Sequence, residues 1–186
     1  MNNQEIRNRL IDGNNHYVQD KENLQSNIDL RNSLTDGQSP FAIILSCADS
    51  RVVPEMIFNC NIGELFVVRV AGNIANTSSV ASIEYAVAHL NCSLIVVLGH
   101  ESCGAVTAAI KGGDNGNNLN HLCSHIEPAV KSAGTTDVNT VVKENARTNV
   151  SMLSENSEII KNAMQNNSLE IIPAYYHLGE GKVDFL

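Results

Sequence analysis

Three short apolar runs stand out along the chain, at residues 41–46, 65–70 and 94–98. They are rich in branched residues and lack the polar alternation of a half-exposed strand, although Arg69 interrupts the second. This predicts strands buried on both faces, as in a parallel sheet. Between the second and third, Val80, Ile83, Val87 and Leu90 recur at helical spacing, so residues 79–90 read as a helix and the whole stretch as a βαβ unit. Residues 3–20 place Ile6, Leu10, Ile11, Tyr17 and Val18 near one helical face, although Gly13 weakens that helix. Residues 26–39 are rich in Asn and Ser and read as a loop.

Beyond the third run, residues 105–110 predict a short helix closed by Gly112 and Gly113. Residues 112–120 are nearly all Gly and Asn and predict a surface loop. From Val138 onward, Val142, Ala146, Val150 and Leu153 march at helical intervals and predict a long helix. The tail, 169–186, reads as a strand pair turning at residues 179–181. The expected fold is α/β: a central, mostly parallel sheet flanked by helices, with a C-terminal strand extension. No repeat or boundary divides the 186 residues, so one domain is expected.

Charge narrows the function. Twelve Lys and Arg against 20 Asp and Glu give a net charge of −8, which argues against nucleic acid as a partner. No stretch approaches the roughly 18 apolar residues needed to cross a bilayer, and the first ten residues lack a secretory apolar core. Five scattered cysteines suit reduced thiols or metal ligands better than a disulfide framework. The expected address is cytoplasmic.

Two short motifs sit where predicted strands end. One is Cys47-Ala48-Asp49-Ser50-Arg51; the other is Gly99-His100-Glu101-Ser102-Cys103-Gly104. Ligands gather at the carboxyl ends of strands in open α/β sheets, so neighbouring strands would bring the motifs together. Cys47, His100 and Cys103 are a donor set suited to zinc, with a fourth position left for water. Cysteines ending apolar strands are equally compatible with small core residues. Asp49 and Arg51 add a carboxylate that Arg can grip bidentately and keep ionised; taken alone the pair reads as a surface salt bridge. His121 and His125 read as solvent-facing, and Cys60, Cys92 and Cys123 as inert small apolar positions.

The paired motifs resemble the signature of the β-class carbonic anhydrases. The similarity extends to Gln38-Ser39-Pro40, the segment 63–69, Ala71-Gly72-Asn73, the segment 82–87 and Gly181-Lys182-Val183, in order along nearly the whole chain. It implies Cys47, His100 and Cys103 as ligands of Zn2+ and Asp49 and Arg51 as the catalytic dyad. It further implies Gln38, Phe66, Tyr85 and Gly104 in the substrate pocket. The implied reaction is reversible hydration of carbon dioxide to bicarbonate and a proton by zinc-bound hydroxide. Relatives complete the pocket from a neighbouring subunit, so a homodimer or homotetramer is implied, with residues 1–35 as a helical arm packing on the neighbour. One subset of the family has a tryptophan-containing bicarbonate effector site in which the aspartate swings onto zinc. This chain has no tryptophan and carries Gln38, so the open form is expected. His16 and Tyr85 are conceivable proton relays. Competing readings are a hydrolase of carbonyl sulfide or carbon disulfide on the same scaffold, and a zinc-stabilised protein without turnover.

Overall fold

The structure is a computed structural model and describes residues 1–21, 24–25 and 27–186. Helices α1 (Asn3–Val18) and α2 (Ile28–Ser33) lead into strand β1 (Ala42–Ser46), helix α3 (Pro54–Ile57) and strand β2 (Leu65–Arg69). A 3-10 turn (Ala71–Asn73) precedes α4 (Thr77–His89) and β3 (Leu94–His100). Helices α5 (Gly104–Lys111), α6 (Asn117–Ser124), α7 (Glu127–Ala133), α8 (Val138–Glu155) and α9 (Glu158–Gln165) follow, then β4 (Glu170–Tyr176) and β5 (Val183–Phe185).

The strands form one sheet in the order β2-β1-β3-β4-β5, parallel except for the antiparallel β5. The expected α/β architecture with a C-terminal strand extension is the one observed. β1 and β3 are buried along their whole length, as their unbroken apolar runs require. Their side chains divide between two layers. Ala42, Ile44, Val96 and Leu98 meet Ile6 and Leu10 of α1 on one face. Ile43, Leu45, Ile95 and Val97 meet Ile83, Ala146, Leu153 and Ile160 of α4, α8 and α9 on the other.

Gly13, which weakens α1 by propensity, is demanded by packing. A Cβ there would lie 1.9 Å from the carbonyl oxygen of Phe58, so only glycine lets α1 cross the end of α3 so closely. The next residue fastens the crossing. Asn14 is buried, its amide donates to Ile57 O (3.1 Å) and Gly181 O (2.8 Å), and its Oδ1 accepts from Val183 N (2.8 Å). α1 therefore lies on its own sheet through Ile6 and Leu10.

Two expectations need correction. The 26–39 segment is not all loop: Asn27 caps α2 by accepting from Leu30 N at 2.9 Å (residues 22, 23 and 26 lie outside the described set). The 112–120 segment ends as a helix, because α6 begins at Asn117 directly after Gly116, which has φ 84°. Local polar capping, rather than an apolar stripe, starts the first of these short helices. β3 also runs two residues further than its apolar core, which carries His100 onto the strand itself.

Candidate active site

The carboxyl ends of β1 and β3 lie side by side, with Ser46 next to Leu98. Cys47 leaves β1 at that level, His100 ends β3, and Cys103 caps the amino end of α5. The donor atoms of these three buried residues all lie within 4.8 Å of one another. Among the described residues they are the one group of three or more such donors. The two motifs, separated in the chain by α3, β2 and α4, thus meet as expected from neighbouring strands.

The imidazole is oriented by its own chain. His100 Nδ1 lies 2.9 Å from Glu101 O, so Nδ1 carries the proton and Nε2 keeps its lone pair. Nε2 is buried and has no hydrogen-bond partner. A buried, unpartnered acceptor is costly unless something electron-poor meets it. The sulfurs point to the same need. Cys103 beside it, with His100 and the amides of Gly72 and Asp49, holds the Cys47 thiol down at about 4 against burial. The neighbouring Cys47 and burial push the Cys103 thiol up. Two adjacent buried sulfurs oppose each other's ionisation, and a divalent cation would let both be thiolates. The donor set therefore fits zinc, with two sulfurs and one nitrogen, three protein ligands and a place for a fourth.

Asp49 stands beside this cluster, its Oδ2 3.9 Å from His100 Nε2. Arg51 donates to it three times: Nε to Oδ1 (2.9 Å), Nη2 to Oδ2 (2.8 Å) and the backbone amide to Oδ1 (3.0 Å). That grip, chiefly the side-chain bonds, holds the Asp49 carboxyl far below the usual carboxylate range. Both oxygens are taken up by Arg51, which keeps the carboxylate beside the donor set rather than within it.

Gly104 opens α5, and nothing lies within 4 Å of where its Cβ would be, so its α-carbon borders open space. Gln38, Phe66 and Tyr85 are elsewhere. Gln38 precedes β1, at the opposite end of the sheet from Cys47. Phe66 is level with Ile43, three residues below the Ser46–Arg69 pair and so about 10 Å lower at ~3.3 Å per residue. Tyr85 projects from α4 with 49% of its surface exposed, between Phe66 (ring centroids 6.3 Å) and His89 (5.2 Å). Within one chain the structure does not bring these three residues to the Cys47–His100–Cys103 cluster.

Arg69 belongs to the site although motif reading passes over it. Its Nε donates to Cys47 O (3.0 Å) and its Nη2 to Asp49 O (2.7 Å), pinning the backbone between ligand and carboxylate. An arginine ending an apolar strand was the available signal. The opposite outcome holds for His121 and His125: their rings meet edge to face, 5.1 Å apart, and the buried Cys123 belongs to no donor cluster. Cys60 and Cys92 are also buried, and desolvation pushes their thiols up to about 12 and about 11. They are inert.

A family model described as carbonic anhydrase matches residues 42–183. Carbonic anhydrase 2 of Mycobacterium tuberculosis is 36% identical over 181 residues, covering 93% of this chain and 87% of its own. A carbonic anhydrase of Mycolicibacterium smegmatis is 34% identical over 183 residues, covering 94% and 89%. Among solved structures, the β-carbonic anhydrase CcaA superposes with a TM-score of 0.77 at 28% identity, covering 98% of this chain and 92% of that one. One of two tetrameric β-carbonic anhydrases from Sordaria macrospora gives 0.77 at 27% identity, covering 86% and 87%.

Proposed function

From the membership of this chain in the β-class carbonic anhydrase family, we propose that it catalyses CO2 + H2O ⇌ HCO3− + H+ at zinc held by Cys47, His100 and Cys103. The observation that carries the reading is the buried, partnerless Nε2 of His100, facing two thiols beside a carboxylate locked by arginine. Bound zinc supplies the Lewis acidity that makes water a usable nucleophile near neutral pH.

The protein's residues supply orientation. Asp49, permanently ionised by Arg51, accepts a hydrogen bond from the attacking oxygen and turns its lone pair toward the carbon of CO2. A neutral aspartic acid could donate as well as accept and would orient that oxygen in two ways. The Gly104 amide, at the positive end of α5, meets the negative charge that develops on the product oxygen. Arg69 holds the backbone on which both Cys47 and Asp49 depend.

Gln38, Phe66 and Tyr85 enter through a second copy. They lie toward the amino end of the sheet, and β2 is an edge strand with partly exposed side chains. A two-fold contact along that edge would present the amino-end patch of one protomer to the carboxyl-end ligands of its partner. The assembly proposed is thus a homodimer or a homotetramer built from two such dimers, with the apolar wall of each pocket shared. No helix among the described residues is long and apolar enough to cross a membrane. All five cysteines are free, which suits a reducing compartment such as the cytoplasm.

Metal analysis combined with stopped-flow CO2 hydration tests the proposal. About one zinc per chain and turnover abolished by Cys103→Ala are expected. Active protein without a divalent metal would overturn it, as would a strong preference for carbonyl sulfide over CO2.

A further inference from the structure

Between β2 and α4 the backbone turns through two successive left-handed residues, Gly72 (φ 71°) and Asn73 (φ 45°). Such a turn persists only where its surroundings hold it. On one side stands Ile126, whose Cδ1 would be 2.7 Å from a Cβ on Gly72. α8 holds the other side with two asparagines one helical turn apart. Asn145 Nδ2 donates to Gly72 O at 2.8 Å, and Ala75 N donates to Asn149 Oδ1 at 2.6 Å. Asn149 Nδ2 in turn donates to Asn145 O (2.8 Å) and Oδ1 (3.1 Å), tying the two together.

Both asparagines are fully buried on the otherwise apolar face of α8, beside Val142 and Ala146. Apolar residues would fill that space without the desolvation that buried amides incur. The polar atoms reach the turn, and the turn delivers one group to the metal site: Gly72 N–H donates to Cys47 Sγ at 3.3 Å. Hydrogen bonds to a ligating atom orient it and tune the charge it gives the metal.

We propose that Asn145 and Asn149 are positioning residues for the metal centre, holding the turn so that the Gly72 amide orients the sulfur of Cys47. This rests on the reading of Cys47 as a zinc ligand. Neither asparagine touches the ligands themselves; each acts through the backbone of residues 72–75.

The test uses the zinc protein and its cobalt-substituted form, with Asn145→Ala, Asn149→Ser and a control, Leu153→Ala. Leu153 lies on the same helix, is equally buried and packs in the apolar layer, to which the 72–75 turn contributes only Ala75. Zinc release to a chelator and the sulfur-to-cobalt charge-transfer absorption are the readouts. Both asparagine variants should release zinc about tenfold faster, the lower end of what outer ligand partners contribute, and shift the absorption band. Leu153→Ala should lower the melting temperature yet leave both readouts as in the wild type. Wild-type release and absorption in folded Asn145→Ala or Asn149→Ser would overturn the proposal, as would an equal change in Leu153→Ala. If Asn145→Ala does not fold, Asn149→Ser decides alone, since it frees Ala75 while leaving the Asn145–Gly72 bond. A wild-type protein that takes up neither metal would instead overturn the zinc reading, and the positioning role with it.

Discussion

Arg51 grips Asp49 along both edges of the carboxylate, with Nε 2.9 Å from Oδ1 and Nη2 2.8 Å from Oδ2, while the far side of Asp49 faces His100. The arginine itself is largely exposed, so the pair reaches from solvent to the metal-ligand cluster. Its role is directional: it leaves the carboxylate ionised and fixes where its lone pairs point.

Removing that acceptor should stop the chemistry without emptying the site. Asp49→Ala is expected to lower kcat/KM for CO2 hydration by roughly 10²–10⁴-fold, the range for a positioned proton-accepting group. Zinc content should remain near that of the wild type. Stopped-flow assays with metal analysis on the same sample check both halves, and undiminished turnover would remove Asp49 from the mechanism.

Acid stability should report the same pair. The folded-state pKa of Asp49 is depressed, chiefly by Arg51, so its contribution to stability is fully present above the ordinary carboxylate range near pH ~4 and is lost as pH falls below it. Arg51→Ala lets that pKa rise toward the ordinary value. The acid-unfolding midpoint of the variant, followed by circular dichroism, should therefore move to higher pH. An unmoved midpoint would mean that Arg51 does not set the ionisation of Asp49.

Arg69 supports backbone rather than substrate, holding Cys47 O and Asp49 O. Arg69→Ala should reduce kcat/KM about tenfold, since small misplacements of oriented groups are costly, with zinc retained. Lysine in its place offers one ammonium for two carbonyls and should restore activity only in part. Full activity in Arg69→Ala would show that the loop keeps its course unaided.

Complementation can show where the pocket ends. Gln38→Ala and Cys103→Ala protomers should each form weakly active or inactive assemblies. Mixed and re-assembled, they should regain activity, because one site per mixed dimer then has intact ligands and the partner's intact Gln38. If Gln38 served its own chain, no site in the mixture would be whole and activity would stay at the level of the separate variants.

The α/β class was legible in the chain because it depends on local pattern, and the Cys47, His100 and Cys103 donor set was legible through its resemblance to a family signature. Strands buried on two faces leave apolar runs, and β1 and β3 fulfil that reading, whereas the similar run of β2 lies at the sheet edge with partly exposed side chains. Cys47 follows β1, His100 ends β3 and Cys103 caps α5 just beyond it, so the adjacency of the two strands left little choice about where these donors converge. The tail pair around Gly181 was legible for the same reason: a turn between two short apolar segments.

Tertiary structure alone decided what depends on distant backbone. Gly13 looks like a flaw in α1 until Phe58 O is found within 1.9 Å of its absent side chain. Asn145 and Asn149 look like interruptions of an apolar helix face until the 72–75 turn is seen against them. Gln38, Phe66 and Tyr85 carry family-like identities, yet their distance from the ligands follows from strand direction and register. Motifs encode which groups are present; the spacing between non-local backbones, fixed only by packing, sets which of them can act together.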